Sequence, residues 1–217
     1  MLVSQRMSKH PVVCSPDMPV DEALNFMRQE KVRRLPVIGK DRELLGIVSE
    51  KDLLYVSPSP ATTLSVFEMH YLLSKIKVGD VMSKQVITVA EDTPLEDAAR
   101  IMADNKIGGL PVLRGDKLVG IITETDLFKV FLELLGAREG GCRVSAIVPE
   151  GKGLLAKLTA AISAKGGDFV SFGTFLGDDP TNRMIVFKVR AVDEADVRAA
   201  LQSVGAKDVN ITMSCAV

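Results

Sequence analysis

The chain has 217 residues with 27 basic and 28 acidic side chains, so its net charge is close to zero and its length allows one or two domains with a sizeable core. The balanced charge and the lack of a dense Lys/Arg block argue against a nucleic-acid partner. No apolar run approaches the ~20 residues that span a bilayer, and the N-terminus lacks the apolar core of a signal peptide, so we expect a cytoplasmic protein without a membrane partner.

The first 135 residues contain one pattern twice. Residues 7–53 align with residues 82–127, and the spacing between copies changes by one residue only in a polar turn. A duplicated unit of this kind pairs with itself and creates a cleft lined twice by equivalent residues. The predicted organisation is repeat 1 in 1–55, a linker with a helix in 56–77, and repeat 2 in 78–135.

Each repeat is predicted to have the element order βαββα. A short strand at Val12 and Val13 precedes the first helix, whose apolar residues recur at helical spacing. In repeat 2, Thr93, Pro94 and Glu96 predict a capping box with proline at the first helical position. A hairpin and a final helix follow in both copies. The apolar helix positions are Val20, Ala23, Leu24 and Met27 in repeat 1, and Leu95, Ala98, Ala99 and Met102 in repeat 2.

The segments after each repeat are predicted as follows. The run 57–60 breaks the preceding helix, and the spacing of Leu64, Phe67 and Tyr71 predicts a connecting helix. The glycine-rich stretch 136–141 predicts a domain boundary. Residues 142–217 have the order βαββαβ of the ferredoxin-like group. In its second strand, alternation places Phe169, Ser171, Gly173 and Phe175 on one face.

The strongest local pattern joins a strand to a helix start through a hydroxyl and a carboxylate three residues apart, Ser49 with Asp52 and Thr123 with Asp126. Free N–H groups and the helix dipole favour an anion there, and the carboxylate can accept hydrogen bonds from sugar hydroxyls. The same pattern is also a helix cap worth ~1 kcal/mol without any ligand. Both interpretations stay open for one copy, and the repetition favours binding.

These segments, with the "LPV" strands and the amphipathic helices before them, resemble the CBS-domain family over about residues 1–135. The resemblance implies an α+β fold with a tandem CBS pair, no catalysis, no obligatory cofactor, and an adenine nucleotide of the AMP, ADP or ATP type as regulatory ligand. It implies that Asp52 and Asp126 bind ribose hydroxyls, and that Ser49 and Thr123 bind phosphate or ribose. The implied base pocket comprises Val13, Cys14, Pro36, Val37, Thr88, Val89, Pro111 and Val112.

The two copies differ in charge just before the "LPV" strand. Arg33 and Arg34 precede the first "LPV" strand, and Gly108 and Gly109 occupy the equivalent positions in repeat 2. Arginine presents a donor fork suited to phosphate, so one pocket is expected to hold most of the anionic tail. The alternative is that the arginines form a solvated patch beside Asp or Glu.

The tail resembles an ACT domain through its βαββαβ order, the turn at 149–155 and the segment 166–171. The resemblance implies that a second copy is a partner, as a homodimer, and that an amino-acid site lies at Gly153 and Asp168. Lys152 and Asp168 depart from the proline and asparagine usual there, which favours pairing through a sheet edge or helix face over amino-acid binding. The whole order of domains is similar to the acetoin-utilisation accessory protein family.

The leading hypothesis is a non-catalytic sensor that relays nucleotide binding to an unknown regulated protein. One alternative is a ligand-free scaffold or dimerisation protein. Another is an enzyme acting on a nucleotide, which the sequence favours less, because neither His10 nor His70 lies beside a nucleophile motif. Cys14, Cys142 and Cys215 are far apart and form no zinc motif.

Overall fold

The computed structural model describes residues 1–56, 68, 71 and 74–215. They divide into two compact units, Met1–Leu127 and Phe128–Val217. The sequence-based assignments for Leu64, Phe67 and His70 lie outside the described residues. Among the described helices, none has the length and apolar character needed to cross a membrane.

The first unit contains both repeats, and each repeat has the predicted helix, hairpin and final helix. The hairpins β1–β2 and β4–β5 are antiparallel, and the short strand β3 pairs in parallel with β4. In repeat 1 the predicted first strand is reduced to a single bridge between Cys14 and Val37. After a 3-10 turn at Val3–Gln5, the elements are α1 Val20–Gln29, β1 Arg34–Ile38, β2 Leu44–Ser49, α2 Glu50–Tyr55, α3 Val78–Val81, β3 Val89–Ala90, α4 Leu95–Asn105, β4 Gly109–Arg114, β5 Lys117–Thr123 and α5 Glu124–Leu134.

The predicted apolar faces of α1 and α4 are confirmed. The four apolar residues predicted for α1 are all buried, and in α4 three of the four are. Burying one large apolar side chain contributes roughly 1.5–3 kcal/mol, so these faces fix each helix on its hairpin.

A short segment of each repeat pairs with the hairpin of the other repeat. Ile47 exchanges two backbone hydrogen bonds with Ser83, of 2.9 and 3.0 Å, and Ile121 exchanges two with Ser8, of 2.9 and 3.1 Å. Glycine is required at both crossings, because a Cβ on Gly46 would lie 2.6 Å from Met82 Sδ and one on Gly120 would collide with Met7 Sδ. The two repeats are therefore related by an approximate two-fold symmetry.

The start of α4 differs from the prediction. Pro94 is the N-cap and makes no side-chain cap bond, so the predicted capping box at Thr93 does not form. The N-terminal segment takes over this role, since Leu95 N donates to Met1 O and Val3 N donates to Thr93 O, both at 2.9 Å. A backbone carbonyl thus satisfies a helix N–H that the sequence pattern assigned to a side chain.

The second unit has the predicted ferredoxin-like topology. Four antiparallel strands run in the order β7-β8-β6-β9, and two helices pack on one face. Its elements are β6 Gly141–Pro149, α6 Leu154–Ser163, β7 Asp168–Leu176, β8 Asn182–Arg190, α7 Glu194–Ser203 and β9 Lys207–Ser214.

The predicted alternation along β7 holds for Ser171, Gly173 and Phe175 and is wrong for Phe169, because Val170 forms a β-bulge. Phe169 pairs with Val189, and the next pair is Ser171 with Lys188. The extra residue moves Phe172 to the same face as Phe169, where both rings pack on Phe187 with centroids 5.6 and 5.5 Å away. A bulge shifts every later side chain to the opposite face, and the residue spacing does not reveal it.

The second unit begins at Phe128, inside α5, whereas the sequence placed the boundary at 136–141. The buried Lys188 explains why residues 136–139 belong to the second unit. Its Nζ donates to the carbonyl oxygens of Gly136 and Glu139, both at 2.7 Å, and Gly136 packs on the bulge at Val170. The segment after α5 is thereby fixed to the C-terminal sheet.

Candidate functional site

Both hydroxyl–carboxylate pairs form helix caps. In repeat 1, Asp52 Oδ2 accepts from Ser49 N at 2.8 Å and from Ser49 Oγ at 2.6 Å. In repeat 2, Asp126 Oδ2 accepts from Thr123 N at 3.0 Å and from Thr123 Oγ1 at 2.7 Å. The capping interpretation is therefore realised in both copies.

The cap in repeat 1 leaves the Asp52 carboxylate able to accept further hydrogen bonds. Both bonds of the Asp52 side chain end on Oδ2, and within the described part of the chain Oδ1 has no hydrogen-bond partner. A carboxylate has roughly four acceptor sites, so Asp52 can accept further bonds without breaking the cap. Capping and ligand binding are compatible at this residue.

A cavity of about 430 Å³, called the Ser49 cavity below, opens beside this cap. Its polar residues from repeat 1 are Arg33, Arg34, Ser49, Glu50, Lys51 and Asp52. The residues of repeat 2 that complete it are Ser83, Gln85, Val86, Ile87, Lys106, Ile107, Gly109 and Pro111. The sequence could not assign which repeat completes which cleft, and the Ile47–Ser83 crossing answers this for repeat 1.

The Ser49 cavity combines an apolar wall with an excess of positive charge. Ile47, Val86, Ile87, Ile107 and Pro111 form the wall. Four cationic side chains line the cavity, against the carboxylates of Glu50 and Asp52. Ligand pockets commonly join an apolar surface with a few polar groups in this way, and the volume lies within the usual range of roughly 300–1,000 Å³. The cations are Arg33, Arg34, Lys51 and Lys106.

Arg34 occupies the junction of the repeats. Its Nη1 donates to Gly108 O at 3.2 Å, and the same carbonyl accepts from Glu124 N at 3.3 Å. A Cβ on Gly108 would lie 2.5 Å from Arg34 Nη2 and 2.6 Å from Glu124 Oε2. Gly108 of repeat 2 therefore makes room for Arg34 of repeat 1, so the difference between the copies is a steric fit as well as a difference in charge.

The predicted base pocket is only partly present around this cavity. Pro111 lines it, together with the predicted Arg33, Arg34, Ser49 and Asp52. Four of the remaining residues belong to the buried core, and none of the remaining residues lines this cavity. In a strand, every second side chain faces the core, so a consecutive pair cannot both face a ligand. The core residues are Cys14, Val37, Val89 and Val112; Pro36 is also buried, while Val13 and Thr88 are half-buried.

Burial has a chemical consequence for Cys14. It raises the pKa of this thiol to about 12, so the group stays protonated at neutral pH. Cys14 is 3 % exposed and packs with α1. Its role in the structure is that of a core residue.

The predicted ligand residues of the tail do not meet. Gly153 precedes α6 and follows the end of β6 near Pro149, whereas Asp168 begins β7 opposite Arg190 at the other end of the sheet. A nine-residue strand is about 25 Å long, which is too far for one small ligand. Asp168 instead forms an ion pair with Arg190 at 2.9 Å. The implied amino-acid site at Gly153 and Asp168 is corrected accordingly.

Several residues of the Ser49 cavity were not predicted, notably Gln85, Lys106 and Ile107. The repeat alignment contained a signal for Lys106, since it corresponds to Lys31 and both close the first helix of their repeat. Both also have φ +54°, a conformation that non-glycine residues rarely adopt. Only the pairing of the repeats shows that Lys106 reaches the cleft of repeat 1.

Comparison with known proteins supports the assignment of the first unit. The family described as "CBS domain" matches residues 3–59 and 78–133. A CBS domain-containing protein of Dictyostelium discoideum is 32% identical over 136 residues, which cover 62% of this chain and 94% of that protein. The chain belongs to the CBS-domain family.

Solved structures agree with this result. A Vibrio cholerae protein assigned to acetoin utilization (AcuB) is 31% identical, with a TM-score of 0.52 over 62% of this chain and 92% of that chain. CBSX2 of Arabidopsis thaliana, crystallised in complex with AMP, is 35% identical, with a TM-score of 0.50 over 60% of this chain and 96% of that chain. Both likenesses cover less than two thirds of this chain.

Proposed function

We propose that the protein is a non-catalytic sensor that binds an adenine nucleotide in the Ser49 cavity. The observation that carries the proposal is the convergence of a capped carboxylate with a free oxygen, an apolar wall and four cations in one cleft between the repeats. The AMP complex of CBSX2 supports the choice of ligand class.

Each part of a nucleotide has a matching part of the cavity. The base would lie on the apolar wall at Ile107 and Pro111, where burial excludes water. The ribose hydroxyls would donate to Asp52 Oδ1. The phosphates would accept from Arg33 and Lys106, because bonds between charged groups are shorter and roughly twice as strong as neutral ones.

The relay would begin at Arg34. A phosphate that draws its guanidinium away from Gly108 O also changes the acceptor of Glu124 N, the first residue of α5. Helix α5 continues past Leu127 into the residues of the second unit. The nucleotide would act through unequal affinity for the two positions of Arg34, as any such switch requires.

The second unit would act as an ACT-type dimerisation domain in this proposal. Support comes from its ferredoxin-like topology and from an exposed apolar face on α5, where Phe128 is 66% exposed and Phe131 48%. Exposed apolar helix faces of this kind mark interaction sites. The likeness to the Vibrio protein supports a regulated partner in acetoin-type carbon metabolism.

Calorimetric titration of the full chain tests the proposal. AMP, ADP, ATP and S-adenosylmethionine are titrated into the wild-type protein and into Asp52→Asn. We expect binding of at least one phosphorylated nucleotide, and a large loss of affinity in the variant. No heat with any of the four ligands, or heat that Asp52→Asn leaves unchanged, contradicts the proposal.

A thermal screen provides a second measurement. Ligand at roughly 100 times its dissociation constant raises the free energy of unfolding by about 2.7 kcal/mol. This raises the melting temperature of a protein of this size by several degrees. Light scattering on the same samples gives the oligomeric state. A flat thermal screen with a stable dimer would favour the ligand-free scaffold instead.

A further inference from the structure

A second cavity, of about 420 Å³, lies where the hairpin turn of repeat 1 meets strand β5, and is called the Arg42 cavity below. Neither Thr123 nor Asp126 lines it, and it shares no residue with the Ser49 cavity. Its floor is apolar, formed by Met7, Leu118 and Val119. The wall above this floor is mainly cationic.

Three basic side chains line the cavity, Lys9, Arg42 and Arg114, against one lining carboxylate, Glu91. Arg114 holds Glu91 with two bonds, Nε to Oε1 at 2.5 Å and Nη2 to Oε2 at 2.7 Å. This pairing lowers the pKa of Glu91, so the carboxylate stays ionised and its partner stays in place. Among the described residues, no carboxylate lies within ion-pair distance of Lys9 or Arg42.

Arg42 is held in position before any ligand arrives. Its backbone oxygen accepts from Leu118 N at 3.2 Å, and its Nε donates to Leu118 O at 3.4 Å. Its φ of +61° is in the left-handed region, which costs a non-glycine residue conformational energy. Two-point fixation reduces the entropy that an arginine loses when it binds an anion.

The repeats differ at one part of this cluster, because the ion pair between Arg114 and Glu91 has no counterpart in repeat 1. Where repeat 2 has Arg114 and Glu91, repeat 1 has Gly39 and Pro16. Lys9 and Arg42 correspond to the basic residues Lys84 and Lys117. Two of the three cations therefore have basic counterparts, whereas the third cation, Arg114 with its partner Glu91, occurs on one side only.

We propose that the Arg42 cavity binds the diphosphate group of a small molecule, with Arg42 and Lys9 as the binding cations and Arg114 as a third, held by Glu91. A diphosphate suits three convergent cations better than a monocarboxylate, because it presents several charged oxygens across a few ångströms. A cleft lined by one sign of charge also concentrates anions from solution. This site is independent of the Ser49 cavity.

The test uses the full chain and ¹H–¹⁵N spectra recorded during titration with inorganic pyrophosphate at fixed ionic strength. We expect the largest shift changes at the amides of Leu118 and Val119. The variant Lys9→Gln/Arg42→Gln should weaken binding at least tenfold. The control Lys31→Gln/Lys84→Gln, which also removes two positive charges but at residues that do not line the Arg42 cavity, should stay within threefold of wild type.

Three outcomes would overturn the proposal: no saturable binding, an equal loss in both double variants, or shift changes confined to Ser49 and Asp52. A melting curve of each variant shows that the loss is not unfolding. A parallel titration of Asp52→Asn with ADP separates the two sources of a diphosphate. Saturation at Leu118 identifies a nucleotide-borne group, and saturation with pyrophosphate alone identifies the free anion.

Discussion

The two repeats share their scaffold and differ where they face each other. Both have a capped helix start, at Ser49 and Thr123, and both cross the partner hairpin beside a glycine. At the junction, however, Arg34 projects from repeat 1 into the space left by Gly108 in repeat 2. Duplication has therefore kept the contacts that hold the pair together and changed the residues that line its clefts. The predictions below test the shared part first and then the differences.

The largest effect on stability is expected at the shared crossings. Gly46→Ala places a Cβ 2.6 Å from Met82 Sδ and 2.9 Å from Ser83 O, and Gly120→Ala meets Met7 and Ser8 in the same way. Overpacking of this kind costs about 1–3 kcal/mol, and we expect similar losses for both variants. Both tyrosines lie in the first unit and the chain has no tryptophan, so urea unfolding followed by tyrosine fluorescence reports on this unit.

The control for the glycine pair is Gly151→Ala in the second unit, where an added Cβ has no neighbour within 4 Å. It should leave the tyrosine-detected transition unchanged. If one crossing tolerates alanine and the other does not, the two crossings are not equivalent and the approximate symmetry is wrong.

Arg33 tests the charge of the Ser49 cavity. Arg33→Gln should weaken nucleotide binding on the order of tenfold, because one charge-assisted hydrogen bond is lost. The affinity of the wild type should fall with added NaCl, and that of the variant should fall less. Calorimetry at two salt concentrations measures both effects. An unchanged affinity would assign Arg33 to the solvated surface.

Two equivalent lysines, one in each repeat, allow a direct comparison in which the expected loss of affinity is smaller. Lys106 and Lys31 are equivalent, share the same backbone conformation, and differ in that Lys106 lines the Ser49 cavity. We expect Lys106→Gln to weaken binding about threefold, since exposed charges contribute little, and Lys31→Gln to have no measurable effect. Equal effects would mean that these lysines act only through the overall charge.

The smallest effect at neutral pH is expected for Cys14→Val, because Val89 fills the equivalent position of repeat 2. The cost should stay below about 1.5 kcal/mol at pH 7. The folded pKa of Cys14 is raised to about 12 from 9.0, so its contribution to stability is complete below pH 9 and is lost as the pH rises towards 12.

The valine variant removes this loss. The difference in urea midpoint between Cys14→Val and wild type should therefore stay constant up to about pH 9 and then shift in favour of the variant. A constant difference up to pH 11 would contradict the burial of the thiol.

The sequence predicted what local spacing determines. Helix faces, hairpins and the caps at Ser49 and Thr123 follow from contacts between residues close in the chain. Ser49 and Lys106 line one cavity although they lie in distant segments of the chain, and no periodicity in the sequence predicts this. The sequence did not predict the bulge at Val170 or the capping of α4 by Met1 for the same reason, since both depend on long-range backbone contacts.

The inequality of the two clefts is tested most directly by counting sites in two carboxamide variants. Calorimetric titration of Asp52→Asn and Asp126→Asn with the preferred nucleotide gives affinity and stoichiometry together. We predict one nucleotide in the Ser49 cavity of each chain, lost in Asp52→Asn and retained within about twofold in Asp126→Asn, because the latter leaves the charged oxygen contacts of the Ser49 cavity intact. Two equal sites per chain, or binding that depends on Asp126 and not on Asp52, would contradict it.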